Sequence, residues 1–295
     1  MPDLKSLLEQ NRVLVTDGAW GTELSRHGLP AGTAPEEWNL SRPQAVADVA
    51  LSYVEAGSDI ILTNTFGGSP FSLQRDGLGD RVAEVNRIGA ELSRGAAADR
   101  ALVFGSIGPT GQFLEPLGSI SYEAMVDCFT QQAQGLLQGG VDAILIETMT
   151  DLGEIRAALE AVKSLADLPI AASMSFDKEP NGFATMMGVT PARAAEELQA
   201  AGADIVGTNC GCGIENAIEV VRQMHGATDR PIWAKPNAGL PILASGRTVF
   251  RQPAEEMVTY VPALIEAGAR FIGGCCGTTP THIRLFSQAV REQKG

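Results

Sequence analysis

One phrase recurs four times in this chain: a helix ends in Gly and a short β-branched strand follows at once. It reads Glu55-Ala-Gly-Ser-Asp-Ile-Ile-Leu-Thr63, Gly139-Gly-Val-Asp-Ala-Ile-Leu-Ile-Glu147, Ala201-Gly-Ala-Asp-Ile-Val-Gly-Thr208 and Glu266-Ala-Gly-Ala-Arg-Phe-Ile-Gly273. Gly supplies the left-handed cap of the helix, and the apolar run that follows suits a strand buried on both faces. Such strands belong to parallel sheets covered by helices.

The intervening sequence predicts strands near 13–16, 58–63, 101–106, 142–147, 170–175, 204–209, 231–235 and 270–275. Amphipathic helices are expected near 43–56, 80–98, 121–138, 151–166, 191–201, 214–225, 253–267 and 280–292. Ser41 before Pro43, Ser121, Thr190 before Pro191 and Thr279 before Pro280 read as helix starts. Eight βα units of about 37 residues each make one (β/α)8 barrel, an α/β fold of a single domain over residues 1–295. A doubly wound open sheet is the alternative. The count of eight and the lack of a Gly-x-Gly-x-x-Gly turn after the first strand favour the barrel.

The charge is strongly acidic, 22 Lys and Arg against 35 Asp and Glu, a net −13. That speaks against nucleic acid and anionic membranes as partners. No apolar run approaches the ~18 residues of a spanning helix. The start, Met1-Pro-Asp-Leu-Lys5, lacks a signal pattern, so a cytoplasmic protein is expected.

Unusual residues gather after the strands: Asp17-Gly-Ala-Trp-Gly-Thr22, Asn64-Thr-Phe-Gly-Gly68, Gly108-Pro-Thr-Gly111, Glu147-Thr148, Asn209-Cys-Gly-Cys-Gly213, Pro236-Asn-Ala-Gly-Leu-Pro241 and Cys275-Cys-Gly-Thr-Thr-Pro280. In a barrel all of these open on the C-terminal face, where active sites lie. Cys210 ends the sixth strand and Cys275 and Cys276 the eighth. Three thiolates with one open position suit a catalytic Zn2+ site. Both adjacent cysteines can ligate only if the strand breaks there, which Gly273, Gly274 and Gly277 allow. Cys212 is an alternative to Cys210 as third ligand. Cys128, mid-helix, reads as core, and none of His27, His225 and His282 is assigned to the metal.

Asn209-Cys210 and Gly273-Gly-Cys-Cys-Gly-Thr-Thr-Pro280, with Asp17-Gly18, Thr63-Asn-Thr-Phe66, Gly108-Pro109, Glu147-Thr148 and Pro236–Pro241, resemble the zinc-dependent homocysteine S-methyltransferases along essentially the whole chain. The resemblance implies methyl transfer to homocysteine sulfur, giving methionine. It implies catalytic roles for Glu147 and Asp17, both taking the substrate ammonium. Backbone amides around Gly18 and Ala19 would take the carboxylate. Asn64 joins the substrate-binding set, as does Asn237, which resembles a residue able to fill the zinc's open position.

The donor divides the readings. A small onium compound such as betaine needs an aromatic cage, and Trp20, Trp38, Tyr53 and Phe66 are the aromatics near the expected place. Ala34 and Gly67 stand where the animal betaine enzymes carry cage aromatics. Met174-Ser-Phe-Asp177 and Thr185-Met-Met-Gly-Val-Thr-Pro191 are similar to bacterial betaine–homocysteine methyltransferases; the Pro236–Pro241 loop is closer to cobalamin-dependent methionine synthase. Met186 and Met187 read as packing. The expectation is homocysteine and a small onium donor. The alternatives are methylcobalamin on a separate corrinoid protein, or a zinc-binding subunit of a corrinoid demethylase complex. An oligomer is compatible with either reading.

Overall fold

The structure is a computed structural model that describes Leu4, Ser6 and residues 12–244 and 247–293. Eight parallel strands form one sheet: β1 (Leu14–Val15), β2 (Ile60–Leu62), β3 (Leu102–Ile107), β4 (Ala143–Met149), β5 (Ile170–Met174), β6 (Ile205–Gly213), β7 (Ile232–Asn237) and β8 (Ala269–Ile272). They pair in chain order, β8 pairs with β1, and a single bridge between Thr16 and Ile60 brings the ring round to β2. Each expected strand and each expected helix has a counterpart within a few residues. This is the (β/α)8 barrel, not the open sheet. Among the described residues no helix is long and apolar enough to cross a membrane.

The recurring phrase marks every second strand, and its Asp has a structural job. Asp59 at the start of β2 accepts the Val15 N–H (2.9 Å), Asp142 before β4 accepts that of Val103 (2.7 Å), and Asp204 before β6 accepts that of Ile170 (2.9 Å). Each carboxylate thus ties its strand to the preceding one at the N-terminal rim. In the fourth phrase Arg270 stands in the Asp position and donates to the Arg12 carbonyl (3.3 Å).

The barrel interior is apolar. Leu14, Ile60, Leu62, Leu102, Leu145 and Ile205 surround Trp233, which stacks on Phe104 (5.8 Å between centroids) and tilts against Phe271 (5.5 Å). Ala143 and Ala171 in the same cluster offset the bulk of these rings, as close packing requires.

Three of the four helix-start residues cap as expected: Ser121, Thr190 and Thr279 accept first-turn N–H groups. Ser41 does not. It ends a short helix, Trp38–Ser41, and Pro43 opens the next directly behind Arg42. The helix expected over 253–267 is broken into Ala254–Met257, a 3-10 turn and Val261–Glu266. Pro262 has no N–H to continue an α-helical ladder there.

Candidate functional site

The site lies at the C-terminal ends of the strands. β6 overruns the barrel and its register with β7 slips between Cys210 and Gly213. Cys210 takes a left-handed conformation (φ 61°), uncommon for a residue with a side chain. β8 stops at Ile272, so Gly273, Gly274, Cys275 and Cys276 leave the strand and both thiols turn to the same side. Only glycine fits this path. A Cβ on Gly274 would lie 2.4 Å from Thr278 Cγ2, and Gly277 sits at φ 84°. The segment is pinned by Gly274 N–H to Asp17 O (3.0 Å), Cys275 N–H to Pro236 O (2.8 Å) and Ala238 N–H to Cys276 O (2.9 Å).

The sulfurs of Cys210, Cys275 and Cys276 lie within 4.8 Å of one another. Thiolates ~2.3 Å from a tetrahedral zinc stand about 3.8 Å apart, so the donor set fits such an ion with little movement. Cys275 and Cys276 donate S–H towards Cys210, which holds the Cys210 thiol down at about 3 and raises both neighbours. Asn237 hydrogen-bonds to Cys210, donates to Gly211 O (3.3 Å), and leaves its buried Oδ1 without a partner. Cys212 is outside this cluster. It is buried, and burial pushes its thiol up to about 11. Cys128 is buried in the core, and no histidine joins the cluster among the described residues.

Beside the thiols lies a cavity of about 510 Å³ lined by Gly18, Ala19, Glu147, Lys235 and the three cysteines, among others. Glu147 is 6% exposed. Its Oε1 accepts from Ser106 Oγ (2.6 Å) and its Oε2 from Asn209 Nδ2 (3.2 Å). Burial pushes its carboxyl above the usual range, while Lys235 and Ser106 pull it back in part. Burial pulls the Lys235 ammonium down, but Asp17 and Glu147 outweigh it and keep the charge.

Asp17 is fully buried. One oxygen pairs with Lys235; the other accepts from Leu62 N–H (2.7 Å) and Trp20 Nε1 (2.8 Å). Ala19 N–H is engaged by Thr278 Oγ1 (3.1 Å) and Ala19 O by Tyr53 OH (2.6 Å), while the Gly18 N–H has no partner among the described residues. Asn64 donates to Pro35 O (2.7 Å) and Asn39 Oδ1 (2.9 Å), so its amide clamps the loop over the cavity.

Of the four aromatics considered for a cage, only Trp20 and Phe66 line the cavity. Trp38 is buried with Arg42 over its ring (5.0 Å), and Tyr53 is buried with its hydroxyl on Ala19. Met186 is not packing: it is 68% exposed.

Sequence reasoning passed over Ser106 and Lys235, and it took Asn209 as part of the Asn209-Cys210 motif without giving it a role. Asn209 also donates to Thr148 Oγ1 (2.7 Å) and accepts from Ser173 Oγ (2.7 Å) and Thr148 N–H (2.8 Å). The available signal was a Lys in the otherwise apolar strand Ile232-Trp-Ala-Lys235.

A (β/α)8 barrel with three converging thiols and a buried carboxylate at its mouth defines a class of metal-capable barrel proteins. Within it, residues 14–290 match the homocysteine S-methyltransferase family, and the chain belongs to that family. It is 33% identical over 99% of its length to methionine synthase of Mycobacterium tuberculosis, and similarly to that of Mycobacterium leprae, but spans only about a quarter of either. Among solved structures it is similar to the homocysteine methyltransferase MmuM from Escherichia coli. The metallated form has a TM-score of 0.80 at 27% identity, covering 97% of this chain and 99% of that one; the oxidized form has the same score at 25% identity, covering all of both.

Proposed function

We propose that this chain transfers a methyl group to the thiol of L-homocysteine, giving methionine, with Zn2+ held by Cys210, Cys275 and Cys276. The observation that carries this is the convergence of three thiols beside a buried carboxylate in one cavity. Bound zinc would supply Lewis acidity that favours the thiolate, the nucleophilic form of the substrate.

The chain's own groups bind and orient. Glu147, held by Ser106 and Asn209, takes the substrate ammonium. Asp17 contributes through Lys235, whose charge it balances and which in turn favours ionised Glu147. The substrate carboxylate is assigned to the backbone around Gly18 and Ala19, chiefly the unpartnered Gly18 N–H. Asn64 shapes the loop over the cavity, and Asn237 offers its unpartnered oxygen beside Cys210. The chain works as one domain in the cytoplasm, with a small onium compound as donor, received by Trp20 and Phe66.

A second reading, methyl delivery from a separate corrinoid protein, draws on the apolar rim of the mouth, where Phe113, Leu117, Leu240 and Leu243 are each at least 49% exposed. The test is methionine formation from homocysteine by the zinc-loaded chain. Glycine betaine, a dimethylsulfonio compound, S-methylmethionine and methylcobalamin are each supplied in turn. Turnover of an onium donor is expected; turnover of methylcobalamin alone selects the second reading, and none with any donor rejects the function.

A further inference from the structure

We propose that Thr278 is a positioning residue that couples metal occupancy of the thiol cluster to the affinity of the pocket for the substrate's amino-acid end. The inference rests on the homocysteine reading of the site and assigns the part that joins its two halves.

The two halves lie on loops from opposite ends of the chain, residues 17–22 after β1 and 273–280 after β8. The two strands run parallel, and Thr16 N–H still donates to Ile272 O (2.8 Å). Regular pairing stops there, yet the loops stay joined. Gly274 N–H donates to Asp17 O (3.0 Å), Ala19 N–H to Thr278 Oγ1 (3.1 Å) and Gly277 N–H to Thr22 Oγ1 (3.3 Å).

Thr278 is the fully buried rung of this zipper. Its hydroxyl proton goes to Cys275 O (2.7 Å), which turns a lone pair towards the Ala19 N–H. The same carbonyl accepts the Thr278 N–H (3.1 Å). Backbone closes on the side chain from both loops. A Cβ on Gly18 would lie 2.9 Å from Thr278 Oγ1, and one on Gly274 would lie 2.4 Å from it. The peptide of a thiol ligand and the turn of the substrate loop therefore meet on one hydroxyl.

The coupling follows from what each loop has to lose. The thiol loop carries Gly273, Gly274 and Gly277, so its backbone has much freedom before an ion fixes it. An ion on Cys275 and Cys276 orders the Cys275 peptide, and that carbonyl aims the Thr278 hydroxyl. Thr278 then holds the Ala19 N–H while Tyr53 OH holds Ala19 O (2.6 Å), which leaves the Gly18 N–H as the turn's free donor for a carboxylate. Freedom already given up by the loops when the metal binds is not lost again when the amino acid binds, and this is positive cooperativity. By reciprocity the amino acid raises metal affinity by the same factor.

The test uses the full chain, metal-free and zinc-loaded, with L-norvaline as probe. L-norvaline is homocysteine with a methyl group in place of its thiol, so it has no sulfur to give the metal. In wild type, zinc should raise L-norvaline affinity about tenfold by calorimetry, and saturating L-norvaline should raise zinc affinity by the same factor in chelator competition. Thr278→Ser keeps the hydroxyl and should keep this linkage. Thr278→Val keeps the shape alone; it should still take up zinc, but its L-norvaline affinity should no longer respond to the metal. Thr279→Val removes the neighbouring hydroxyl that caps the last helix, and should lower the melting temperature with the linkage intact. L-norvaline affinity that ignores zinc in wild type, or that responds equally in Thr278→Val, overturns the role of Thr278 and leaves the homocysteine reading standing. Zinc-loaded wild type that binds neither L-homocysteine nor L-norvaline overturns both.

Discussion

Asn209 couples the buried Glu147 carboxylate to the thiol cluster: its Nδ2 lies 3.2 Å from Glu147 Oε2 and 3.9 Å from Cys275 Sγ. Its Oδ1 meanwhile holds Thr148 and Ser173. Asn209→Ala therefore leaves Glu147 and Ser173 each short of a buried hydrogen bond, which costs about 1–3 kcal/mol of stability. Homocysteine affinity should fall about tenfold with most of the zinc retained, as read by calorimetry and metal analysis. Unchanged affinity would remove Asn209 from the site.

Lys235 and Asp17 are an ion pair buried at 2% and 0% side-chain exposure. Removing one partner of such a pair leaves an uncompensated charge, at about 3–5 kcal/mol. Lys235→Met should lower denaturant stability by that order and weaken homocysteine binding. Adding Asp17→Asn should recover much of the stability. Strict additivity of the two changes would show that the charges are not coupled.

Glu147 illustrates a trade of stability for binding. Its carboxyl is raised above 4.5 by burial, so between 4.5 and its raised value the folded chain holds a proton that the unfolded chain has released. Stability then falls as pH rises through that window. The melting temperature of Glu147→Gln, measured relative to wild type, should climb as pH increases from about 4.5 and then level off. Homocysteine binding by the same variant should weaken by about 1.5–3 kcal/mol. A pH-independent difference in melting temperature contradicts the first expectation.

His282 gives the opposite pH sense. It accepts the Thr279 N–H at Nδ1 (3.2 Å), and its Nε2 faces Gln252 O (3.1 Å), so the neutral ring completes the capping box of the last helix. Burial lowers its pKa from 6.5. As pH drops below 6.5, the unfolded chain takes up a proton that the folded chain resists, and stability declines. Thermal melts from pH 7.5 to 5.5 should show a steeper loss for wild type than for His282→Gln; parallel curves would exclude His282 as the cause.

The barrel was legible because its signals are local and periodic. Gly caps and β-branched runs mark the strands, and the paired glycines announce the break that aims Cys275 and Cys276. The polar network was less legible. Ser106 and Asn209 are ordinary residue types whose roles arise from neighbours far along the chain, and Lys235 looks like an error in an apolar strand until Asp17 is seen against it. The aromatic cage misled in part for the same reason. Trp38 and Tyr53 stand in the right segment, but their rings face the core between barrel and helices.

The proposed function rests on a three-thiolate zinc site with one position for the substrate sulfur. Zinc K-edge X-ray absorption on the zinc-loaded chain, with and without L-homocysteine, tests it most directly. Zinc is expected to have sulfur neighbours from the three clustered cysteines alone, and one more sulfur when homocysteine is bound. A sulfur count that does not rise at saturating homocysteine, or that starts below three, would contradict the account.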